Sequence, residues 1–268
     1  MKILVIGAGN IGLTYAEGMS ASELLKNQPL MISDNSQEKI LSLQKNPKYK
    51  AYHALNECLP EAEIVFLAVK PYNIFELFEE MKPLMKSNQI VISIMAGVTI
   101  KTIQDGLGVK KVVRAMPNLP AMVAKGVTTY TSVDEISSTE LSNIGNLLDT
   151  TGKSLHVKNE KFIDASTGIS GSGPAYVFYF MQGLMEAALE MDFSEEEAKL
   201  LVTQTFDGAI TLFNQSDVSL QTWMERVTSK GGTTHAALEA MKNNHVKEHI
   251  KEGAFAAFQR AIELGNNK

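Results

Sequence analysis

The feature that most constrains this chain is a change of rhythm near its middle. Up to about Lys158, short apolar runs rich in β-branched residues (KILVI, LMIS, EIVFLAV, QIVISI and KVVRA) alternate with amphipathic segments. NIFELFEEMKPLM is one such segment, with apolar positions at Ile74, Phe75, Phe78 and Met81 at helical spacing. Strand–helix alternation of this kind predicts an α/β fold with a doubly wound parallel sheet. VTTY, ELSNIGNLLDTTG and SLHV add a further strand–helix–strand unit, expected at an edge of that sheet. Beyond Lys158 the strand signals stop and helical periodicity takes over. The expected organisation is therefore an α/β domain over residues 1–159 and an all-α domain over 160–268.

In the second half, Ser194 followed by Glu197 has the spacing of a capping box opening a helix, and further helices are expected from His235 and His245. Ala165 to Met185 is uncharged, but it begins STGISGSGP and Glu186 and Glu190 continue its pattern. It reads as a loop feeding a buried helix rather than a membrane span. Tyr176, Tyr179, Phe180, Gly183 and Ala187 mark one route along that helix, and Phe178, Met181, Met185, Ala188 and Leu189 a more apolar stripe. A helix apolar on more than one face needs cover from more than one side. Burial against a second subunit and a self-contained bundle both satisfy that need.

Charge and cysteine content narrow the setting. With 25 basic and 30 acidic side chains, the net charge of −5 argues against a broad nucleic-acid footprint. Cys58 is the single cysteine, so no internal disulfide or CxxC site exists, and a reducing, cytoplasmic location is expected. The apolar run of MKILVIGAG is too short for a signal-peptide core.

Three glycine-containing segments carry the chemical signal. GAGNIG, Gly7 to Gly12, matches G-x-G-x-x-G directly after a strand and before a helical run, the context of a Rossmann-like dinucleotide site. Asp34, 22 residues past Gly12, is placed to accept from a ribose 2′-hydroxyl. In RVTSKGGTTHAALEAM, Gly231 and Gly232 let backbone N–H groups converge, while Thr233 or Thr234 can cap the helix that follows. That loop suits a carboxylate; an ordinary capped turn is the plainer alternative. GISGSGPAYVF, residues 168–178, gives a bent start to a long helix with Pro174 in its first turn, and it offers neither acid nor base. Other patterns carry less. His245-x-x-Glu248-His249 has the H-x-x-E-H form but sits among Lys242, Lys247 and Lys251, as a solvated face would. Gly152-Lys-Ser154 lacks the glycine spacing of a P-loop, and Tyr176 and Tyr179 fit a core as well as a site.

Taken in order, VKP (Val69–Pro71), AGV (Ala96–Val98), RAMPNLP (Arg114–Pro120), SGSGPAYVF (Ser170–Phe178) and TSKGGTT (Thr228–Thr234) resemble the pyrroline-5-carboxylate reductases over essentially the whole chain. The resemblance implies reduction of 1-pyrroline-5-carboxylate to L-proline with NADPH or NADH. It implies a cofactor site of Ile6, Gly7, Ala8, Gly9, Asn10, Ile11 and Gly12 at the pyrophosphate, with Asp34 and Asn35 after the second strand. Ala68, Val69, Lys70, Pro71, Met95, Ala96, Gly97 and Asn118 would lie along the dinucleotide and nicotinamide. Ser229, Gly231, Gly232, Thr233 and Thr234 would hold the substrate carboxylate and ring nitrogen, with Thr234 as nitrogen partner. A homodimer with interlocked helical domains is implied, extending to a ring of five dimers. No metal is expected.

Two positions depart from the family pattern. Asp34-Asn35 stands where many relatives carry a neutral residue and an arginine, leaving Lys39 as the nearest cation. Use of both cofactors follows, with a reduced preference for NADPH. Lys230 replaces a common proline. The competing readings are another imine or β-hydroxyacid oxidoreductase, for which Lys199 would be the acid, and a non-catalytic dinucleotide sensor. The first conflicts with the charged face EEEAKLL, the second with the intact TSKGGTT.

Overall fold

The computed structural model describes residues 1–25 and 28–266. Among them, eight strands form one sheet in the order β3-β2-β1-β4-β5-β6-β7-β8. The strands are β1 (Ile3–Ile6), β2 (Leu30–Ser33), β3 (Tyr49–Tyr52), β4 (Ile64–Leu67), β5 (Ile90–Ser93), β6 (Lys111–Met116), β7 (Gly126–Ser132) and β8 (Gly152–His156). The first six are parallel neighbours, β7 runs antiparallel to β6, and β8 pairs in parallel with β7 at the edge. This is the doubly wound order, extended by the strand–helix–strand unit expected at the edge.

The apolar runs have a direct cause. Every residue of β1, β2, β4 and β5 is buried, because helices cover both faces of the sheet. Alternate side chains feed two cores. Ile3 and Val5 join Tyr15 and Met19 of α1 (Asn10–Ala21) and Ile144 and Leu147 of α5 (Ser138–Leu148). Leu4 and Ile6 join Phe78 and Met81 of α3 (Ile74–Met81) and Ile103 and Leu107 of α4 (Ile100–Leu107). Strand β3 escaped the sequence reading because YKAY is an edge strand with only Ala51 fully buried.

The chain packs as two compact units, Met1–Ser172 with Ala256–Lys268, and Gly173–Phe255. Strand patterning ends near residue 159, yet α6 (Glu160–Ser166) packs with the sheet for a physical reason. Buried Arg114 of β6 pairs with Glu160 at 3.1 Å and Asp164 at 2.6 Å, and Glu160 also accepts from the Ile100 N–H at 2.9 Å. Removing both carboxylates would leave a guanidinium held out of water without a counter-charge. Cys58 is buried, its thiol pushed up to about 12 by that burial.

In the second unit α7 (Gly173–Glu190) packs on α8 (Glu195–Asn214), with Phe180 edge-on to Phe206 at 6.2 Å. The capping box of Ser194 and Glu197 is present. Two expectations need correction. The STGISG segment is not a loop: Thr167–Gly171 forms a π-helical turn directly after α6. Nor is α7 buried within this chain: Val177, Phe178, Tyr179 and Leu189 are all exposed. No described helix is long and apolar enough to cross a membrane.

One stability prediction follows from the ion pair between β6 and α5. Lys111 donates to Glu140 at 2.5 Å while Glu140 completes the capping box of α5, and these bonds lower its pKa to about 2. A folded pKa below the unfolded value of about 4.3 gives stabilisation that is complete above the latter and lost as pH falls towards the former. Thermal melts of Glu140→Gln should therefore show a lower Tm than the unsubstituted protein at neutral pH. The gap should close between about pH 4 and pH 2, and a gap independent of pH would contradict this account.

Candidate dinucleotide cleft and anion loop

The first site is built by the turn from β1 into α1. Gly7 adopts φ +103° and its N–H donates to Ser33 O at 2.8 Å. A Cβ at Gly7 would lie 2.7 Å from the Ala68 carbonyl oxygen, and one at Gly12 would collide with the Gly7 carbonyl. The close approach of this turn to the end of β4 thus requires both glycines. Gly9 faces open space and is the N-cap of α1, with no side-chain cap. The first-turn N–H groups, around Asn10, Ile11 and Gly12, therefore have no side-chain acceptor at the N-cap.

This turn floors a cleft of about 670 Å³ at the C-terminal ends of β1, β2 and β4. Of the expected cofactor residues it brings together Ile6, Gly7, Gly9, Asp34, Asn35, Ala68, Val69 and Lys70. Ala8, Asn10, Ile11 and Gly12 belong to the same turn and helix start, and Pro71 opens the short helix after Lys70. Asp34 immediately follows β2 and is nearly buried. Its carboxylate already accepts from the Ala8 N–H at 2.7 Å and the Ser36 N–H at 2.9 Å. Lys39, on α2 (Gln37–Leu43), reaches Asp34 Oδ2 with its Nζ at 3.4 Å and lines the cleft. Asp34 thus pins the phosphate turn to the second strand, and Lys39 offsets its charge.

His53, Ala54 and Leu55, with Tyr72, Glu76, Leu77 and Glu80, complete the cleft without having been singled out in the sequence. The first three follow β3, the strand whose pattern was not legible. Tyr72 has 73% of its surface exposed, and Lys70 Nζ lies 5.9 Å from its ring centroid.

Met95, Ala96 and Gly97 form the turn after β5, outside this cleft. Met95 is buried, Ala96 exposed, and Gly97 has φ +69°. Asn118 is held by the protein itself: Oδ1 accepts from the Val127 N–H at 2.9 Å and Nδ2 donates to Ser170 O at 3.1 Å.

The second unit contains the other loop. Between α9 (Leu220–Arg226) and α10 (Thr233–Asn243), Gly231 takes φ +73° and the Gly232 N–H donates to Ser229 O at 3.0 Å. The N-cap of α10 is Gly232, with no side-chain cap. Thr233 and Thr234 therefore do not cap the helix as expected; they occupy its first turn, one step too late to reach back to its N–H groups. Ser229, Lys230 and Thr233 are exposed, and Thr234 is half-buried.

A comparison within the molecule gives these two loops their meaning. Helices α2, α4, α5, α6, α8 and α9 are each closed by a Ser, Thr or Asn side chain at the N-cap. Helices α1 and α10 instead begin at a glycine behind a glycine of positive φ, with first-turn donors uncapped. Such starts present backbone N–H donors of the kind that bind anions. The remaining patterns fall elsewhere: Gly152–Ser154 opens β8, His245 precedes α11 (Val246–Asn266), and His249 Nδ1 contacts Glu252 at 3.1 Å. Tyr179 and Lys199 are exposed.

Comparisons with known proteins identify the family. Residues 160–264 match the family described as pyrroline-5-carboxylate reductase dimerisation, and residues 2–97 match NADP oxidoreductase coenzyme F420-dependent. Pyrroline-5-carboxylate reductase 2 of Bacillus subtilis is 34% identical over 98% of this chain and 95% of its own length. The Pseudomonas aeruginosa pyrroline-5-carboxylate reductase is 32% identical over 98% and 96%. Among solved structures, a pyrroline-5-carboxylate reductase from Coxiella burnetii superposes with TM-score 0.89 at 31% identity, covering 98% of both chains. The Plasmodium falciparum pyrroline carboxylate reductase with NADP bound gives 0.88 at 28%, covering 99% of this chain and 98% of its own. With relatives above 30% identity matched from end to end, the chain belongs to the pyrroline-5-carboxylate reductase family.

Proposed function

We propose that this protein reduces the ring imine of 1-pyrroline-5-carboxylate to L-proline, using NADPH or NADH. The observation that carries the proposal is the pair of helix starts, one in each unit, whose N-cap is a glycine with no side-chain cap, where six other helices are closed by a Ser, Thr or Asn side chain. One suits a pyrophosphate and the other a carboxylate, so an acidic chain of net charge −5 can hold two anionic ligands without a basic surface. Division at 159/160 into a dinucleotide part and a substrate and dimerisation part follows this reading.

The dinucleotide fits the first site by a steric criterion. Gly9 leaves open space where any side chain would intrude, and the cleft continues past Asp34 and Lys39. Ile6 to Gly12 would hold the pyrophosphate, Asp34 and Asn35 the adenosine ribose, and Ala68 to Pro71 the strand-end wall. Met95, Ala96 and Gly97 would flank the nicotinamide, with Asn118 shaping that end through its two loop bonds. When bound, the nicotinamide supplies the hydride.

The chain's own contribution is position. Ser229, Gly231, Gly232 and Thr233 would fix the substrate carboxylate through backbone and hydroxyl donors at the start of α10. The Thr234 hydroxyl would hydrogen-bond the ring nitrogen. Its pKa lies far above neutrality, so it orients the nitrogen and the proton comes from solvent. Exposed Lys230 adds a cation beside the carboxylate. The exposed apolar side chains of α7 would be covered in a homodimer, assembled further into a ring of five dimers. A lone buried thiol fits a cytoplasmic location.

Thr234→Ala should lower kcat roughly ten- to a hundredfold, the loss of one hydrogen bond, while leaving measurable turnover. Unchanged turnover would remove Thr234 from the site. Lys39→Ala should weaken NADPH by roughly three- to tenfold, the effect of one half-exposed charge pair, and leave NADH unaltered. Equal changes for the two cofactors would show that Lys39 does not read the 2′-phosphate.

A further inference from the structure

The turn after β5 is held from several sides. At its start, the Met95 N–H donates to Ser93 Oγ at 3.3 Å. At its end, the Ile100 N–H donates to Glu160, which buried Arg114 holds in place. Between these anchors Gly97 adopts φ +69° and is buried. What lies against it is the last turn of α11. A Cβ on Gly97 would stand 3.0 Å from the Leu264 carbonyl oxygen and 3.3 Å from the Gly265 nitrogen. From the other side, a Cβ on Gly265 would stand 3.8 Å from Gly97 O and 4.0 Å from its Cα. The segment from Ala256 onward packs with the sheet unit rather than with the helices preceding it, and Ala261 is buried there.

We propose that the C-terminal turn of α11 is a positioning element for the nicotinamide end of the cofactor site. Leu264 and Gly265 form a backbone surface against which the Met95–Gly97 turn is set, and neither residue need touch the cofactor. This rests on the proposed placement of the nicotinamide beside Met95–Gly97. Two glycines facing each other permit this backbone-on-backbone contact: Gly97 supplies the left-handed conformation and Gly265 the clearance. A glycine inside a helix is otherwise unfavourable, so its presence one residue before the end of α11 calls for a packing reason, and the contact with residue 97 provides one. The anchors at Ser93 and Glu160 stay in place when α11 is altered, so a side chain added at residue 265 displaces the middle of the turn alone.

The test separates the two ends of the dinucleotide. Gly265→Ile and Gly265→Phe add bulk towards residue 97, and Gly97→Ala presses on the same contact from the other side. Affinity for NADPH, measured by fluorescence titration, is compared with affinity for adenosine 2′,5′-bisphosphate, which lacks the nicotinamide half. The expected result is NADPH binding weakened by about tenfold, as misplacement of a positioning surface by about an ångström can produce, with the bisphosphate held as before. Gly265→Ala reaches only van der Waals distance and favours the helix, so it should fold readily and show the smallest change of the series. NADPH affinity unchanged across the series would overturn the proposal, and so would parallel loss of both ligands, which marks a general structural role. These are binding measurements, independent of whether 1-pyrroline-5-carboxylate is the substrate. An unsubstituted protein that binds NADPH but does not reduce that imine would defeat the functional reading and leave this one standing.

Discussion

The contact on which the rest of the first unit depends is backbone against backbone, where the turn of Gly7 meets the end of β4. The positive φ of Gly7 lets β1 turn sharply into α1, and the missing side chain of Gly12 lets that helix sit close above it. The consequence is a helix start aimed at the C-terminal ends of β1, β2 and β4, where the cleft lies. Asp34 then locks the arrangement by accepting the Ala8 N–H across from the second strand. A residue that looks like a ribose ligand is thus also part of the frame.

The loop before α10 repeats the principle with fewer parts. A glycine of positive φ precedes a glycine N-cap, and no side chain caps the first turn. Six other helices are closed differently: a Ser, Thr or Asn side chain accepts from the first turn. The contrast is internal to the molecule.

Much of this was legible in the sequence, and what was not has physical causes. Strands β1, β2, β4 and β5 read clearly because burial on both faces forces continuous apolar runs. Edge strand β3 lacks that pressure, and with it were lost His53, Ala54 and Leu55, the cleft residues that follow it. The π-helical turn at Thr167–Gly171 reads as a loop because its glycines and serines are loop formers, yet it continues the helical run of α6. Thr233 and Thr234 looked like caps because capping residues usually precede a helix; Gly232 displaced them by one and two positions. The bond from the Ala8 N–H to Asp34 and the seat of Gly97 on Leu264 join residues far apart in the chain, and no local pattern reports them.

The central claim is that the cleft and the loop serve one reaction, delivery of a hydride to the carbon of a cyclic imine whose carboxylate is anchored. Its most direct test supplies the purified protein with 1-pyrroline-5-carboxylate and NADPH deuterated at the transferred position, with mass analysis of the product. The account predicts L-proline carrying a single deuterium at the former imine carbon, formed in step with oxidation of the cofactor. Cofactor oxidation without labelled proline, or no oxidation at all in a protein that binds NADPH, would contradict it.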